Sequence, residues 1–159
     1  MLLRSLLVPV LLAVSLLGCG DDDTVNPETG DPTKVTYAES LNVDLNAMTR
    51  LDSGLYIQDT FPAPDGALAE AGSRVQVRYT GYRPDGLSFD ATGNGPAISF
   101  TLGTGQVIKG WDEGIVGMRV GGRRRLIIPS DLGYGAAGVG SRIPPHTVLI
   151  FDTELVSVR

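Results

Sequence analysis

The sequence predicts an α+β fold, in which a twisted antiparallel sheet of five or six strands wraps around one short helix. Three observations predict it. The 21 glycines and 10 prolines are typical of a chain with many turns. Several segments alternate apolar and polar residues, as strands with one buried face do. A single segment has the apolar spacing of a helix, and that helix can bury its apolar face only by packing on the sheet.

Residues 1–18 have the pattern of a signal peptide. Arg4 precedes an apolar run over residues 6–17, which is shorter than the roughly 20 residues that a spanning helix needs. The run ends in Leu16-Leu17-Gly18-Cys19, which resembles the lipobox of bacterial lipoproteins and implies cleavage before Cys19 and lipidation of its sulfur. Cys19 is the only cysteine, so a disulfide within the chain does not explain it. An ordinary leader with a chance cysteine and an uncleaved anchor helix are the alternatives.

The chain that follows the leader is acidic. Of the 13 basic and 18 acidic side chains only Arg4 lies in the leader, so its removal changes the formal net charge from −5 to −6. An acidic domain without a basic patch argues against nucleic acid as a partner. The one cationic run, residues 123–125, is predicted to occupy solvated strand positions. Residues 19–34 combine acids, prolines and small polar residues, which predicts that a disordered tether follows the lipidated Cys19.

The next elements are an N-terminal extension and the strands. Residues 35–53 form the extension, in which residues 35–38 are compatible with a strand or an extended arm. Leu41, Leu45 and Met48 have the spacing of a helical turn. Strands are predicted where apolar and polar residues alternate or where a short apolar run stops at a proline. These segments are residues 55–57, 75–80, 98–102, 126–128 and 148–158.

The predicted helix covers residues 109–118. Trp111, Ile115 and Met118 are spaced so that they share one helix face. Gly110 and Gly114 lower the intrinsic stability of this segment as a helix. Packing against the sheet must therefore hold it.

The motifs from residue 54 to residue 159 resemble, in order, those of FKBP-type peptidyl-prolyl cis-trans isomerases. Each motif is weak by itself, but the ordered set is specific. The set includes Gly110-Trp111-Asp112 and Ile143-Pro144-Pro145, and its segments are residues 75–82, 85–90, 100–103, 106–114, 118–122, 128–129, 134–135, 143–145 and 149–155. The resemblance implies one isomerase domain over residues 54–159, with an FKBP-like fold.

The implied activity needs little chemistry from the protein. An X–Pro bond isomerises in tens to hundreds of seconds because amide resonance opposes rotation. A site accelerates the rotation if it favours the twisted amide over both planar forms. An apolar, water-poor hollow does so by removing the water that stabilises the polar planar form. No nucleophile, general base, metal or cofactor is expected, and the single histidine, His146, has no cysteine or second histidine with which to form a metal site.

The resemblance also implies which residues form this hollow. Trp111 would be its floor, with Tyr79, Phe89, Phe100 and Phe151 as walls. The Ile108 backbone N–H and the Tyr134 hydroxyl would bind substrate carbonyls, and Asp90 would lie at the rim. The catalytic set is thus Tyr79, Phe89, Asp90, Ile108, Trp111, Tyr134 and Phe151, and the substrate-binding set is Phe100, Val107, Ile98 and Ile143. The alternative for each aromatic is plain core packing, above all for Phe100.

Three residues depart from the family pattern near this hollow. Ile98 and Val139 replace larger or more polar residues, and Arg142 brings a cation to a place where an apolar residue is common. The expected partners are proline-containing exported polypeptides and, through acylated Cys19, a bacterial membrane at its periplasmic or outer-membrane face. The chain is expected to be a monomer. The alternative function is a binding module that holds proline-containing segments without turnover, as a chaperone or envelope scaffold.

Overall fold

The computed structural model describes residues 30–159, which form an antiparallel sheet of seven strands around one short helix. The strand order is β1-β2-β6-β7-β3-β4, and β5 pairs with the first half of β3. The strands are β1 Thr49–Arg50, β2 Tyr56–Phe61, β3 Arg74–Tyr82, β4 Ser88–Ala91, β5 Ile98–Thr101, β6 Arg123–Ile128 and β7 Leu149–Val158. The helix is α1 Lys109–Gly114. The predicted α+β fold is confirmed, and β1, two residues long, brings the strand number to seven.

The main core lies between α1 and one face of the sheet. Trp111, Ile115 and Met118 are buried there against Leu126 and Phe151. The helix is held by close approach to β6: a Cβ atom at Gly110 would lie 2.5 Å from Ile128, and one at Gly114 would lie 2.8 Å from Leu126. The two glycines that weaken the helix by propensity therefore allow the packing that stabilises it.

The helix ends at Gly114, earlier than the predicted residue 118. In a longer helix, the Gly114 carbonyl would accept a hydrogen bond from the backbone N–H of residue 118. Instead, the Arg124 guanidinium donates to the carbonyls of Gly114 and Val116, at 2.9 and 3.0 Å. Gly117 then turns the chain with φ +82°, a value that favours glycine. Ile115 and Met118 still reach the core from this turn.

The N-terminal extension covers the opposite face of the sheet. Ile127 and Ile150 alternate with the core residues of β6 and β7, so they point away from α1. Leu41, which is 5% exposed, packs on them together with Tyr56 and Val148. The extension has short 3₁₀ turns at Glu39–Leu41 and Leu45–Ala47, and residues 35–38 form no strand.

Gly30 and Pro32 are buried, although they lie inside the predicted tether of residues 19–34. The backbone N–H of Ser130 donates to the Gly30 carbonyl at 2.9 Å, and the Tyr37 hydroxyl donates to the Pro32 carbonyl at 2.8 Å. These contacts offset the conformational entropy that residues 30–34 lose when they are ordered. Composition alone places these residues in the tether. The predicted signal peptide, Cys19 and the first part of the tether lie outside the described residues.

Two of the three arginines at residues 123–125 are not solvated, contrary to the prediction. Arg124 is 6% exposed and donates two hydrogen bonds to the Asp59 carboxylate, at 2.7 and 3.1 Å. Arg125 donates to Asp152 at 2.6 and 2.8 Å and also to the Leu41 carbonyl. Only Arg123 has a largely exposed side chain, at 63%. A buried guanidinium is tolerated here because a carboxylate and backbone carbonyls accept its hydrogen bonds.

No helix within residues 30–159 is long and apolar enough to cross a membrane.

We predict that Arg124→Met lowers the free energy of unfolding by about 2–4 kcal/mol, because Asp59 and two backbone carbonyls lose their charged donor. Unfolding in denaturant measures the change. Arg123→Met is the matched control on the same strand, and it should stay within about 0.5 kcal/mol of the wild type. Equal losses in the two variants would contradict a buried, bridging role for Arg124.

Candidate active site

The sheet and the first turn of α1 enclose a cavity of about 190 Å³. Its lining combines residues from β3, β4, β5, β7, the first turn of α1 and two loops. The lining residues are Tyr79, Phe89, Asp90, Ile98, Gln106, Val107, Ile108, Trp111, Tyr134 and Phe151. Eight of these ten residues are aromatic or aliphatic, and Asp90 and Gln106 are the other two.

Trp111 forms the base of the cavity. It is 3% exposed although it lines the hollow. Tyr79 and Phe151 meet it edge-on, with ring centroids at 4.9 and 5.2 Å, and Phe89 meets Phe151 edge-on at 5.5 Å. Edge-to-face contacts at these distances are the favourable geometry for aromatic pairs. The aromatic walls therefore hold one another in place.

The indole N–H of Trp111 is buried and has no hydrogen-bond partner among residues 30–159. A buried donor without a partner costs roughly 1–3 kcal/mol. Phe100 and Phe151, which pack against the indole, have no group that can accept a conventional hydrogen bond, and the Tyr79 hydroxyl is directed to Asp90. The indole N–H at the base of the hollow thus has no protein partner in the described part of the chain, at some cost to stability.

Two tyrosines and one carboxylate form the polar rim. The Tyr79 hydroxyl donates to Asp90 Oδ2 at 2.6 Å, and the Ala91 backbone N–H donates to Asp90 Oδ1 at 2.9 Å. Burial raises the pKa of Tyr79 above its ordinary value, and the hydrogen bond to Asp90 adds to the shift. Burial and the charge of Asp90 raise the pKa of Tyr134 in the same way. Both phenols therefore stay protonated, and able to donate, well above neutral pH.

Two donors at the rim are not used by the protein itself. The Tyr134 hydroxyl makes no hydrogen bond within the described chain, and the side chain is 38% exposed. Ile108 stands just before α1 in an extended conformation, and its carbonyl accepts from the backbone N–H groups of Trp111 and Asp112. Its own N–H donates to no group in residues 30–159. Both donors remain for a bound carbonyl.

A comparison with protein families identifies the family to which this domain belongs. Residues 66–156 match the model of the FKBP-type peptidyl-prolyl cis-trans isomerases, which is more than half of the chain. The chain belongs to this isomerase family. Within residues 30–159, no group of three His, Cys, Asp or Glu side chains could hold a metal ion.

Individual relatives agree with the family assignment. An FK506-binding protein of Neisseria meningitidis serogroup C is 50% identical over 103 residues, which are 64% of this chain and 91% of the relative. FK506-binding protein 2 of Yarrowia lipolytica is 54% identical over 91 residues, or 57% of this chain and 63% of the relative.

Solved structures of similar proteins share the fold. A peptidyl-prolyl cis-trans isomerase from Pseudomonas syringae pv. tomato has a TM-score of 0.63 and 38% identity, covering 70% of this chain and 80% of that one. The crystal structure of AtFKBP13 has a TM-score of 0.65 and 36% identity, covering 70% of this chain and 98% of that one.

The structure brings together most of the residues that the sequence predicted for the site of this FKBP-type domain. All seven residues of the predicted catalytic set line the cavity, as do Ile98 and Val107. Phe100 does not. It is 3% exposed and lies against Trp111, with ring centroids 5.6 Å apart, so it supports the base and is not a wall. Its pairing with Val75 on β3 places it deeper in the core than Ile98.

Ile143 lies in a second lobe that adjoins the cavity. This lobe has a volume of about 150 Å³ and shares Phe89, Asp90 and Tyr134 with the main cavity. Its remaining lining residues are Val139, Arg142 and Ile143. The predicted departures at Val139 and Arg142 thus lie on the hollow itself.

Sequence reasoning missed three residues that shape the FKBP-type site. Gln106 lines the cavity, and its Oε1 accepts from the Thr101 backbone N–H at 3.0 Å. Asp112 accepts from the backbone N–H groups of Gly103 and Gly105, both at 2.9 Å, and so anchors the loop that leads to Ile108. Gly81 is the third, because a Cβ atom there would lie 2.7 Å from the rings of both Phe89 and Phe151. Spacing gave no signal for Gly81, since its role depends on a contact between separate strands.

We predict that Gly81→Ala destabilises the domain by about 1–3 kcal/mol, because the added methyl group overlaps two rings that pack together. Denaturant unfolding measures the loss. The double variant Gly81→Ala with Phe89→Leu should lose less than the sum of the two single variants, because the smaller side chain leaves room for the methyl group. Strictly additive losses would refute the steric role of Gly81.

Proposed function

We propose that this chain accelerates the cis–trans isomerisation of X–Pro bonds in exported polypeptides, and that it does so from a lipid anchor at Cys19. The single observation that carries the isomerase part is the largely aromatic and aliphatic hollow with two unused donors at its rim. Family membership supports the same reaction. The exported clients and the anchor rest on the leader and on the Leu16-Leu17-Gly18-Cys19 pattern.

The aromatic walls would act on the amide through solvation. In a planar X–Pro amide, resonance places negative charge on the oxygen, and water stabilises that charge. Trp111, Tyr79 and Phe151 present ring faces and edges instead, so the planar form loses water without gaining an equal partner. The twisted amide has less charge to solvate and loses less. Each 1.36 kcal/mol of this difference accelerates the reaction tenfold.

The rim donors would hold the neighbouring peptide while the bond rotates. The Ile108 N–H and the Tyr134 hydroxyl each offer a hydrogen bond to a substrate carbonyl. Asp90, whose position is set by Tyr79 and the Ala91 N–H, brings a negative charge to the same rim. That charge opposes negative charge on the oxygen of a planar amide and so favours the twisted form. No bond is made or broken, so no proton transfer is needed.

We predict that Phe89→Ala lowers kcat/KM for a prolyl peptide at least tenfold, because the wall shared with Phe151 is lost and water enters the hollow. An assay that follows the cis-to-trans conversion of the peptide measures it. Phe61→Ala is the matched control: Phe61 is 55% exposed on β2 and does not line the cavity, so its activity should equal that of the wild type.

Measuring peptide binding and the isomerisation rate on the same purified protein distinguishes catalysis from binding without turnover. Trp111 is the only tryptophan, so its fluorescence reports peptide binding at the base of the hollow. Binding without any acceleration over the uncatalysed rate would exclude the isomerase function and support the non-catalytic chaperone or scaffold. Acceleration that Phe89→Ala leaves intact would remove the cavity as the site.

We predict that Cys19→Ala moves the protein from the membrane fraction to the soluble fraction of a bacterial host. Lipid chains on Cys19 would contribute about 0.8 kcal/mol per buried CH₂ group, and the variant has no acceptor for them. Residues 20–29 span at most about 35 Å when extended, so the packed domain would work close to the bilayer. Ser15→Ala, which keeps Cys19, is the control. A Cys19→Ala protein that still sediments with membranes would contradict lipid anchoring.

A further inference from the structure

The second lobe of the hollow is placed to receive a residue next to the prolyl ring. It shares Phe89, Asp90 and Tyr134 with the main cavity, so the two volumes adjoin along one wall. A side chain adjacent to a proline in the main cavity therefore has the second lobe within reach. The chemistry of the second lobe will then bias which neighbouring residue is accepted.

Arg142 gives this lobe an unpaired positive charge. The residue is exposed and lines the lobe. Its side chain makes no ion pair or hydrogen bond with any group in residues 30–159. The carboxylate of Asp90 also lines the lobe and accepts from Tyr79 and Ala91, but it forms no ion pair with Arg142. The other lining residues, Phe89, Val139 and Ile143, carry no charge.

A chain of contacts holds Arg142 in this place. The Arg83 guanidinium donates to the Arg142 carbonyl at 3.4 Å and forms an ion pair with Asp85. The Ala38 backbone N–H, in the N-terminal extension, donates to the Pro84 carbonyl at 2.8 Å and so fixes the same turn. The backbone groups of Val139 and Ile143 bond to each other, at 2.7 and 3.2 Å, and close the short loop that carries Arg142. The backbone of Arg142 is thus fixed beside the hollow.

We propose that Arg142 is a specificity-determining residue, which makes this isomerase favour segments with an acidic side chain adjacent to the proline. The inference rests on the proposed function, since it needs the proline in the main cavity. A carboxylate entering the second lobe gains an ion pair with a guanidinium that has no other partner. The gain is limited because Arg142 is exposed and the pair is solvated.

The test uses the purified full chain and peptides that carry no other charged side chain and differ only by Glu or Gln next to proline. One pair of peptides carries the variable residue before proline, and a second pair carries it after proline. Because Glu and Gln have nearly the same shape, the ratio of their affinities isolates the charge. Trp111 fluorescence measures the affinities, and kcat/KM for the same peptides is measured in parallel.

We predict that the wild type binds the Glu peptide about two- to fivefold more tightly than the Gln peptide in one of the two pairs, and that Arg142→Gln abolishes this preference. Arg74→Gln is the control, because this substitution also removes one positive charge. Arg74 is exposed at the far end of β3 and lines neither part of the hollow. It should keep the wild-type ratio.

Two outcomes overturn the inference. In the first, the wild type binds the Glu and Gln peptides of both pairs with equal affinity. In the second, the ratio of Glu to Gln affinity is the same for the wild type and for Arg142→Gln. These outcomes are distinct from failure of the proposed function. If the peptides bind with the predicted charge preference but are not isomerised, the role of Arg142 stands and the catalytic proposal fails.

Discussion

The contact between helix α1 and strand β6 is the constraint on which the site depends. Because Gly110 and Gly114 have no side chains, the helix backbone can lie directly against Ile128 and Leu126. Trp111 lies between these glycines, so the same approach presses the indole into the concave face of the sheet. Arg124 fixes the end of the helix through two carbonyls. A helix of six residues with two glycines has little stability of its own, and its packing sets the base of the cavity.

The ionisable groups around the hollow serve geometry and charge more than proton transfer. Asp90 receives the hydroxyl of Tyr79, and both tyrosines at the rim have pKa values raised above the ordinary one. Their protons therefore remain on the oxygens where they can donate. This arrangement suits a reaction whose barrier comes from amide resonance, because the protein needs to change solvation and does not need to supply a base.

The N-terminal extension joins the outer face of the sheet to the site. Its buried Leu41 packs over Ile127 and Ile150, and its Leu41 carbonyl accepts from Arg125, which also binds Asp152. Through Ala38 it holds the turn at Pro84, and Arg83 in that turn contacts the loop of Arg142. A segment outside the family match of residues 66–156 thus supports a loop that lines the hollow. The extension is therefore a structural part of the domain.

The sequence by itself determined the fold class, the family and most of the cavity lining. Alternating apolar and polar residues, the helical spacing of apolar residues and the ordered motifs can be seen in the sequence alone, and the packing of the folded chain agrees with them. It did not predict β4, whose four residues are too short to show a period, or that Phe100 lies under Trp111. Tertiary structure alone decided that Arg124 is buried, that Gly81 makes room for two rings and that Gly30 and Pro32 are buried. Each of these depends on partners distant in the chain: Asp59 for Arg124, Phe151 for Gly81 and Ser130 for Gly30. Residue type alone does not determine whether a charge, a glycine or a polar segment is buried. The residues that surround it in the folded chain determine its environment.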